Sequence, residues 1–174
     1  IGLSNIGPKR LNFLYKRLQQ RDIKITSIQT QFSLLTQPTL KDEKIKNMCI
    51  DYNIEYLAYS PLALGILTIP PNKSPKLSTF LRKKLFEKIL PKTKDLRIML
   101  NNIGKKYGAS QAQVALNWVR SHGAKPIVGI RNPKQARDAN SALKWSLTKN
   151  EKERLDSFRD NCVAKMPENP FTSS

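Results

Sequence analysis

Three consecutive stretches decide the architecture: IKITSIQTQFS (residues 23–33), LKDEKIKNMCIDY (residues 40–52) and IEYLAYSP (residues 54–61). The first gathers Ile23, Ile25, Thr26 and Ile28, β-branched residues that suit a pleated surface, and reads as a strand running into a loop. The second places Ile45, Met48 and Cys49 on one helical face. The third is a compact strand, Ile54 to Tyr59, ended by Ser60-Pro61. Strand, helix, strand in so short a span makes the two strands parallel, because the helix carries the chain back to the starting edge.

The alternation continues outward. Ile1 to Leu3 is a short apolar start. Pro8 to Gln20 has Leu11, Leu14, Tyr15 and Leu18 at helical spacing, with Pro8 suited to a first turn. Downstream, Leu67 to Pro75 reads as a loop and Leu77 to Leu90 as a short helix broken by Pro91. Leu96 to Tyr107 is a helix stopped by Gly108. Ser110 caps an amphipathic helix through Val119 that turns Ala112, Ala115, Leu116 and Val119 inward. Pro126 to Ile130 is the next strand; Pro133 to Leu143 and Glu151 to Phe158 are helices, the second opened by a Thr148/Glu151 capping box. Residues 1–165 form one unit, and residues 166–174 read as a tail.

This amounts to about three and a half βα units. A doubly wound sheet needs a glycine-rich phosphate loop after its first strand. The chain has none; Gly104 and Gly108 bracket the end of a helix. The other home for repeated βα units is an eight-stranded barrel, of which this sequence holds roughly half. The fold class expected is therefore α/β, half of a (β/α)8 barrel, with parallel strands alternating with helices.

Composition narrows the function classes. No apolar run approaches the roughly 20 residues that span a bilayer, so no membrane role is expected. Cys49 and Cys162 lie far apart, and Cys49 falls in a helical apolar pattern as a small core residue. His122 is the only histidine, so no metal site is expected; next to Gly123 it reads as a cation at a helix end. A reducing, intracellular setting follows as the default. The net charge of +18, from 31 Lys and Arg against 13 Asp and Glu, points towards polyanions. Yet the basic residues spread along the polar sides of helices, densest over Lys73 to Arg97, with no nucleic-acid-binding signature. A solvated basic surface, helpful to a phosphorylated cofactor, is the preferred reading over a nucleic-acid module.

Five runs share one likeness: Ile1 to Gly7, Gln29 to Leu35, Ala58 to Thr68, Lys106 to Trp118 and Pro126 to Leu143. In this order they resemble the aldo-keto reductase family along nearly the whole chain. The resemblance implies the C-terminal half of that family's barrel, starting at about the fifth strand, and an NADP-dependent oxidoreductase that reduces aldehydes or ketones. It gives Ser4, Asn5 and Gln29 to the nicotinamide carboxamide, for which side chains that both donate and accept are suited. Tyr59 matches the aromatic stacked on the nicotinamide ring. Ser60 and Leu62 fall along the pyrophosphate, and Arg131, Asn132, Gln135 and Asp138 at the adenosine end. Arg131 is the candidate for the 2′-phosphate, since a guanidinium pairs with phosphate in a fork. The chain departs from the family at Asp138-Ala139-Asn140, where Glu-Asn is common, at Ser141 for a common Gly, and at Phe32 for the usual Tyr.

Taken singly, Ser4 and Asn5 are ordinary helix-capping types, Tyr59 a core aromatic and Arg131 one surface cation among many; their joint order favours the cofactor reading. The family's catalytic Tyr, Lys, Asp and His come from the first half of the barrel and have no counterpart here, so no catalytic residue is assigned. The chain is expected to be inactive alone, to need the missing N-terminal half as partner, and to act on a small carbonyl substrate in the cytoplasm or a plastid. The competing reading is a half-barrel that binds cofactor or a partner without chemistry, alone or within a larger assembly.

Overall fold

Four strands lie side by side in the order in which the chain makes them: β1 (Gly2–Ser4), β2 (Ser27–Gln31), β3 (Glu55–Tyr59) and β4 (Lys125–Pro126), each parallel to the next. The structure is a computed structural model and describes residues 1–37, 40–73, 75 and 80–167. Helix α1 (Pro8–Gln19) joins β1 to β2, and α2 (Leu40–Asp51) joins β2 to β3. Three helices, α3 (Phe80–Ile89), α4 (Lys94–Lys106) and α5 (Gln111–Ser121), lie between β3 and β4; α6 (Pro133–Ser141) and α7 (Lys149–Asn161) follow. A doubly wound sheet reverses its strand order at a switch point. Here the order never reverses, as a barrel wall requires.

Register sorts the side chains. Ile28, Thr30, Tyr56 and Ala58 are buried against the helices. Gly2, Ser27 and Glu55 are aligned across three strands, as are Ser4, Gln29 and Leu57, and Gln31 faces Tyr59. By strand alternation these residues share the opposite, concave face. Lys125 on β4 pairs there with Glu55.

Three differences from the sequence reading have local causes. The strand expected over Pro126 to Ile130 pairs only at Lys125–Pro126, with the Ile127 N–H donating to the Ala58 carbonyl at 2.8 Å. β3 stops at Tyr59, and Ser60, at φ 51°, turns the chain away, so among the described residues no strand pairs with Val128 to Ile130. The strand expected from Ile23 likewise pairs only from Ser27. Residues Ala63–Thr68 form a 3-10 turn ahead of the expected loop. Within the helix expected over Leu77 to Leu90, α3 covers Phe80–Ile89, and residues 77–79 lie outside the described set.

Helix α5 is the most buried element. Val114 to Val119 are all inaccessible or nearly so, because α4, α6 and α7 surround it. Trp118 stacks on Phe32 at 5.1 Å, and its indole N–H donates to Asp156 at 2.7 Å. Arg159 lies over both rings. His122 also meets Asp156, at 2.8 Å. Burial pushes the imidazole below its ordinary value, against the pull of Asp156. His122 is thus packed between α5 and α7, where burial disfavours the helix-end cation expected. Burial likewise pushes the Cys49 thiol up to about 11, as befits a core residue. The expected tail begins with an anchored residue: Met166 is buried and its N–H donates to the Leu35 carbonyl at 2.7 Å.

Glu151 ties α7 to α4. The Thr148 capping box forms as expected, and the same carboxylate accepts from Lys106 and from the Tyr107 hydroxyl, each at 2.8 Å. Burial alone would raise this carboxyl; the Lys106, Thr148 and Tyr107 donors together hold it down at about 2, from an ordinary 4.5. A carboxyl with a depressed folded value contributes stability that is complete above 4.5 and lost as pH falls from there towards 2. Thermal melts across that window should show the loss, and Glu151→Gln should flatten it. An unchanged acid limb in the variant would refute this assignment. Gly104 offers a second check. A Cβ there would sit 2.5 Å from the Ala109 carbonyl oxygen, so Gly104→Ala should destabilise by about 1–3 kcal/mol in a denaturant titration.

Candidate functional site

The residues with chemistry collect where β1, β2 and β3 end. Ser4 closes β1 and stands in register with Gln29. Asn5 follows at φ 53°, a left-handed conformation that Asn tolerates better than most residues. Its N–H donates to the Gln29 carbonyl at 2.9 Å, which extends the β1–β2 ladder past the last paired residue. The Tyr59 hydroxyl then donates to Asn5 Oδ1 at 3.0 Å, spanning from the end of β3 to the end of β1. Ser4, Asn5, Gln29 and Tyr59 are thus brought together at one end of the concave face, as their order in the sequence suggested.

The turn after β3 has an unusual backbone. Ser60, Ala63, Leu64 and Gly65 all adopt positive φ. Such a conformation is costly for non-glycine residues and persists only where the surroundings fix it. Here Pro61, Ala63, Ile66 and Leu67 are buried beneath it. Backbone bonds from Ala63 to Ser60, Gly65 to Leu62 and Ile69 to Ile66 brace it. Ala63, Leu64 and Gly65 are left-handed in succession, and the N–H groups of Ala63 and Gly65 are spent inside the turn. Ser60 and Leu62 belong to a preformed turn beside Tyr59, in the stretch where the resemblance sets the pyrophosphate.

A second cluster stands at the N-terminus of α6. Asn132 caps the helix by accepting from the Gln135 N–H at 3.0 Å, while Gln135 Oε1 accepts from the Arg131 N–H at 2.8 Å. Both amides are engaged in holding the first turn. The Arg131 side chain is exposed, and no described carboxylate pairs with it. Asp138, one turn along, faces inward. Its carboxylate accepts from Ser110 Oγ at 2.8 Å and from Gln113 Nε2 at 2.7 Å. The structure thus separates Asp138 from Arg131, Asn132 and Gln135, and no hydrogen bond among the described residues joins this second cluster directly to the first.

The tyrosines show what the described chemistry lacks. Tyr15 and Tyr52 stack on each other at 3.8 Å. Burial pushes Tyr56 up to about 12, despite its bond to Thr30, and Tyr107 is bonded to Glu151. None is placed as an acid at the strand ends. Among the described residues no group of three His, Cys, Asp or Glu is placed to hold a metal. A cavity of about 400 Å³ between α4 and α7, lined by Met99, Ile103, Glu151 and Arg154, includes none of the strand-end residues.

Comparison with known proteins gives these positions a context. The model of the aldo/keto reductase family matches residues 1–160. The chain is 38% identical to a chloroplastic pyridoxal reductase of Arabidopsis thaliana over 171 residues, 98% of this chain and 46% of that protein. It is 27% identical to a probable pyridoxal reductase of Schizosaccharomyces pombe over 153 residues, 79% of this chain and 44% of the relative. Its fold superimposes on the glycerol dehydrogenase of Gluconobacter oxydans with a TM-score of 0.73 at 24% identity, covering 99% of this chain and 52% of that one. The chain spans about half the length of the relatives it matches. With the family model running from Ile1 almost to the end of α7, and with parallel strands in unreversed order, the chain belongs to the aldo/keto reductase family.

Proposed function

We propose that this chain binds NADP across the C-terminal ends of its strands and serves an oxidoreductase that reduces an aldehyde or ketone. The observation that carries the reading is the bond from Tyr59 to Asn5 beside the Ser4–Gln29 pair. It sets an aromatic face next to side chains able both to donate to and to accept from a carboxamide. The residues fit the cofactor elsewhere as well. The braced turn from Ser60 to Leu62, with the Ser60 hydroxyl, follows Tyr59 where the resemblance sets the diphosphate. Arg131, at the start of α6, suits a 2′-phosphate, because a helix N-terminus and a guanidinium both favour an anion.

The reduced nicotinamide, when bound, is the source of hydride for the carbonyl carbon. The tasks of the chain are positional. Tyr59 covers one face of the ring and leaves the other to the substrate, Ser4, Asn5 and Gln29 fix its rotation, and the turn and Arg131 hold the phosphates. The proton for the carbonyl oxygen comes, in this reading, from the segment that completes the barrel, since the tyrosines other than Tyr59 are engaged in structural contacts. The 38% identical relative is a pyridoxal reductase by name, which makes the pyridoxal aldehyde the first substrate to try.

A second reading is a cofactor- or partner-binding half-barrel without chemistry. It is favoured by the exposure of Ile127 and Ile130, 43% and 51%, beyond the paired part of β4. Both readings require something to cover the concave face, and they diverge on turnover.

Fluorescence titration with NADPH and NADH tests the cofactor. Binding should favour NADPH, and Arg131→Ala should weaken NADPH by about tenfold, a charge-assisted bidentate pair, while leaving NADH nearly unchanged. The chain alone should show no NADPH-dependent turnover of pyridoxal, and a polypeptide that also carries the first half of the barrel should show it. Failure of the chain to bind either dinucleotide would sink the cofactor assignment. Binding with no turnover even in the completed barrel would favour the non-catalytic reading.

A further inference from the structure

The two clusters of the proposed cofactor site make no direct hydrogen bond with each other, yet a series of polar contacts, joined by short stretches of backbone, links the turn after β3 to α6. At one end stands Arg97 of α4, only 3% exposed. Its guanidinium donates to the carbonyls of Ile69 at 3.3 Å, Pro70 at 2.9 Å and Leu90 at 3.1 Å. Ile69 and Pro70 close the turn that Ser60 opens. Leu90 caps the C-terminal end of α3, where carbonyl dipoles favour a cation. No described carboxylate pairs with Arg97, and its Nε is buried without a partner. A buried cation held by carbonyls alone is an expensive way to gain stability. What it provides is geometry: a planar fork fixes three chain segments relative to one another.

The path continues into α5. Gln111 Nε2 donates to the Arg97 carbonyl at 2.7 Å. In the same first turn, Ser110 and Gln113 both donate to Asp138 of α6. Gln113 is itself held by the Trp145 indole N–H at 3.1 Å. The Asp138 carboxylate thus sits on the N-terminal turn of α5, where a negative charge is favoured. About two helical turns before Asp138, just ahead of the α6 N-cap Asn132, lies Arg131.

We propose that the first turn of α5 is a spacer fixing the distance between the phosphate-facing turn after β3 and the start of α6, with Arg97 and Asp138 as its positioning residues. This rests on the dinucleotide reading above. A dinucleotide engages both ends through one linkage, so once one end is seated the second binds as an intramolecular step. Its advantage depends on correct spacing, and each half of the ligand bound separately is indifferent to it. Short, directional hydrogen bonds hold such a spacing better than apolar contacts, which tolerate sliding.

The test uses the native polypeptide that carries this chain, titrated with NADPH, adenosine 2′,5′-bisphosphate and reduced nicotinamide mononucleotide. Asp138→Asn keeps the shape of the side chain and removes one of its two acceptors. NADPH should bind about tenfold more weakly while the two half-ligands stay within about twofold, the loss expected when only effective concentration changes. Ser110→Gly removes the same arm with little harm to the helix cap, and should give the same split. Arg97→Lys keeps the charge, loses the fork and reproduces the split from the other end. Unchanged NADPH affinity in these variants, or an equal loss for all three ligands, overturns the spacer while leaving the cofactor site intact. A wild-type protein that binds none of the three overturns both.

Discussion

Slide β2 past β3 by one residue and the site disappears. In the observed register Gln29 faces Leu57 and Gln31 faces Tyr59 on the concave face, while Ile28, Thr30, Tyr56 and Ala58 pack against the helices. A single-residue slip would turn one strand's set over. It would send Gln29 into the helical layer, bring Ile28 into the open face and break the reach from Tyr59 to Asn5. Burying one face therefore fixes the polar geometry of the other. The helix-facing residues are apolar enough to make the slip costly, with Ile28 and Ala58 fully inaccessible and Tyr56 and Thr30 bonded to each other inside the layer. The strand-end residues inherit their positions from this packing.

That division explains what the sequence made legible. Periodicity and capping are local, and they located the helices closely: Ser110 caps α5, and Thr148 with Glu151 forms the capping box of α7. The unreversed strand order agrees with the absence of a glycine-rich phosphate loop. The candidate residues at the ends of β1, β2 and β3 were legible through the order of their motifs, and the structure sets them side by side. What was not legible depends on partners distant in sequence. The length of β4 depends on where β3 turns away. The direction of Asp138 depends on two donors in α5, roughly a quarter of a hundred residues upstream. The packing of His122 depends on Phe32 and Trp118, which set their rings against it. The left-handed turn at Ala63 and Leu64 carried no glycine to announce it before Gly65.

The charge of the chain acquires meaning from the same contacts. Among its 13 acidic residues, Glu55, Asp138, Glu151 and Asp156 make ion pairs or hydrogen bonds that join one element to another, and Glu153 pairs with Lys149 within α7. The first four are structural, and they bind helix to helix or strand to strand. Most of the 31 basic residues have no such task among the described contacts. The excess of +18 is therefore left facing solvent, and the field around the molecule favours an anion arriving from any side. Such a field raises encounter rates and tolerates many anions, so it does not by itself select one.

Selection needs fixed distances. Arg131 on an exposed helix terminus is one cation among many, and the left-handed turn after β3 is one braced loop. Neither distinguishes a dinucleotide from a lone phosphate. The property that distinguishes them is the separation between the two, and a surface field carries no information about separation. It has to be built into the layer beneath, where partners are fixed and their bonds directional. The buried guanidinium of Arg97 and the inward carboxylate of Asp138 lie in that layer, on opposite sides of one helix turn. An apolar pair of the same volume would serve stability at least as well, which leaves the metric of the site as the reason for polar groups at these two positions.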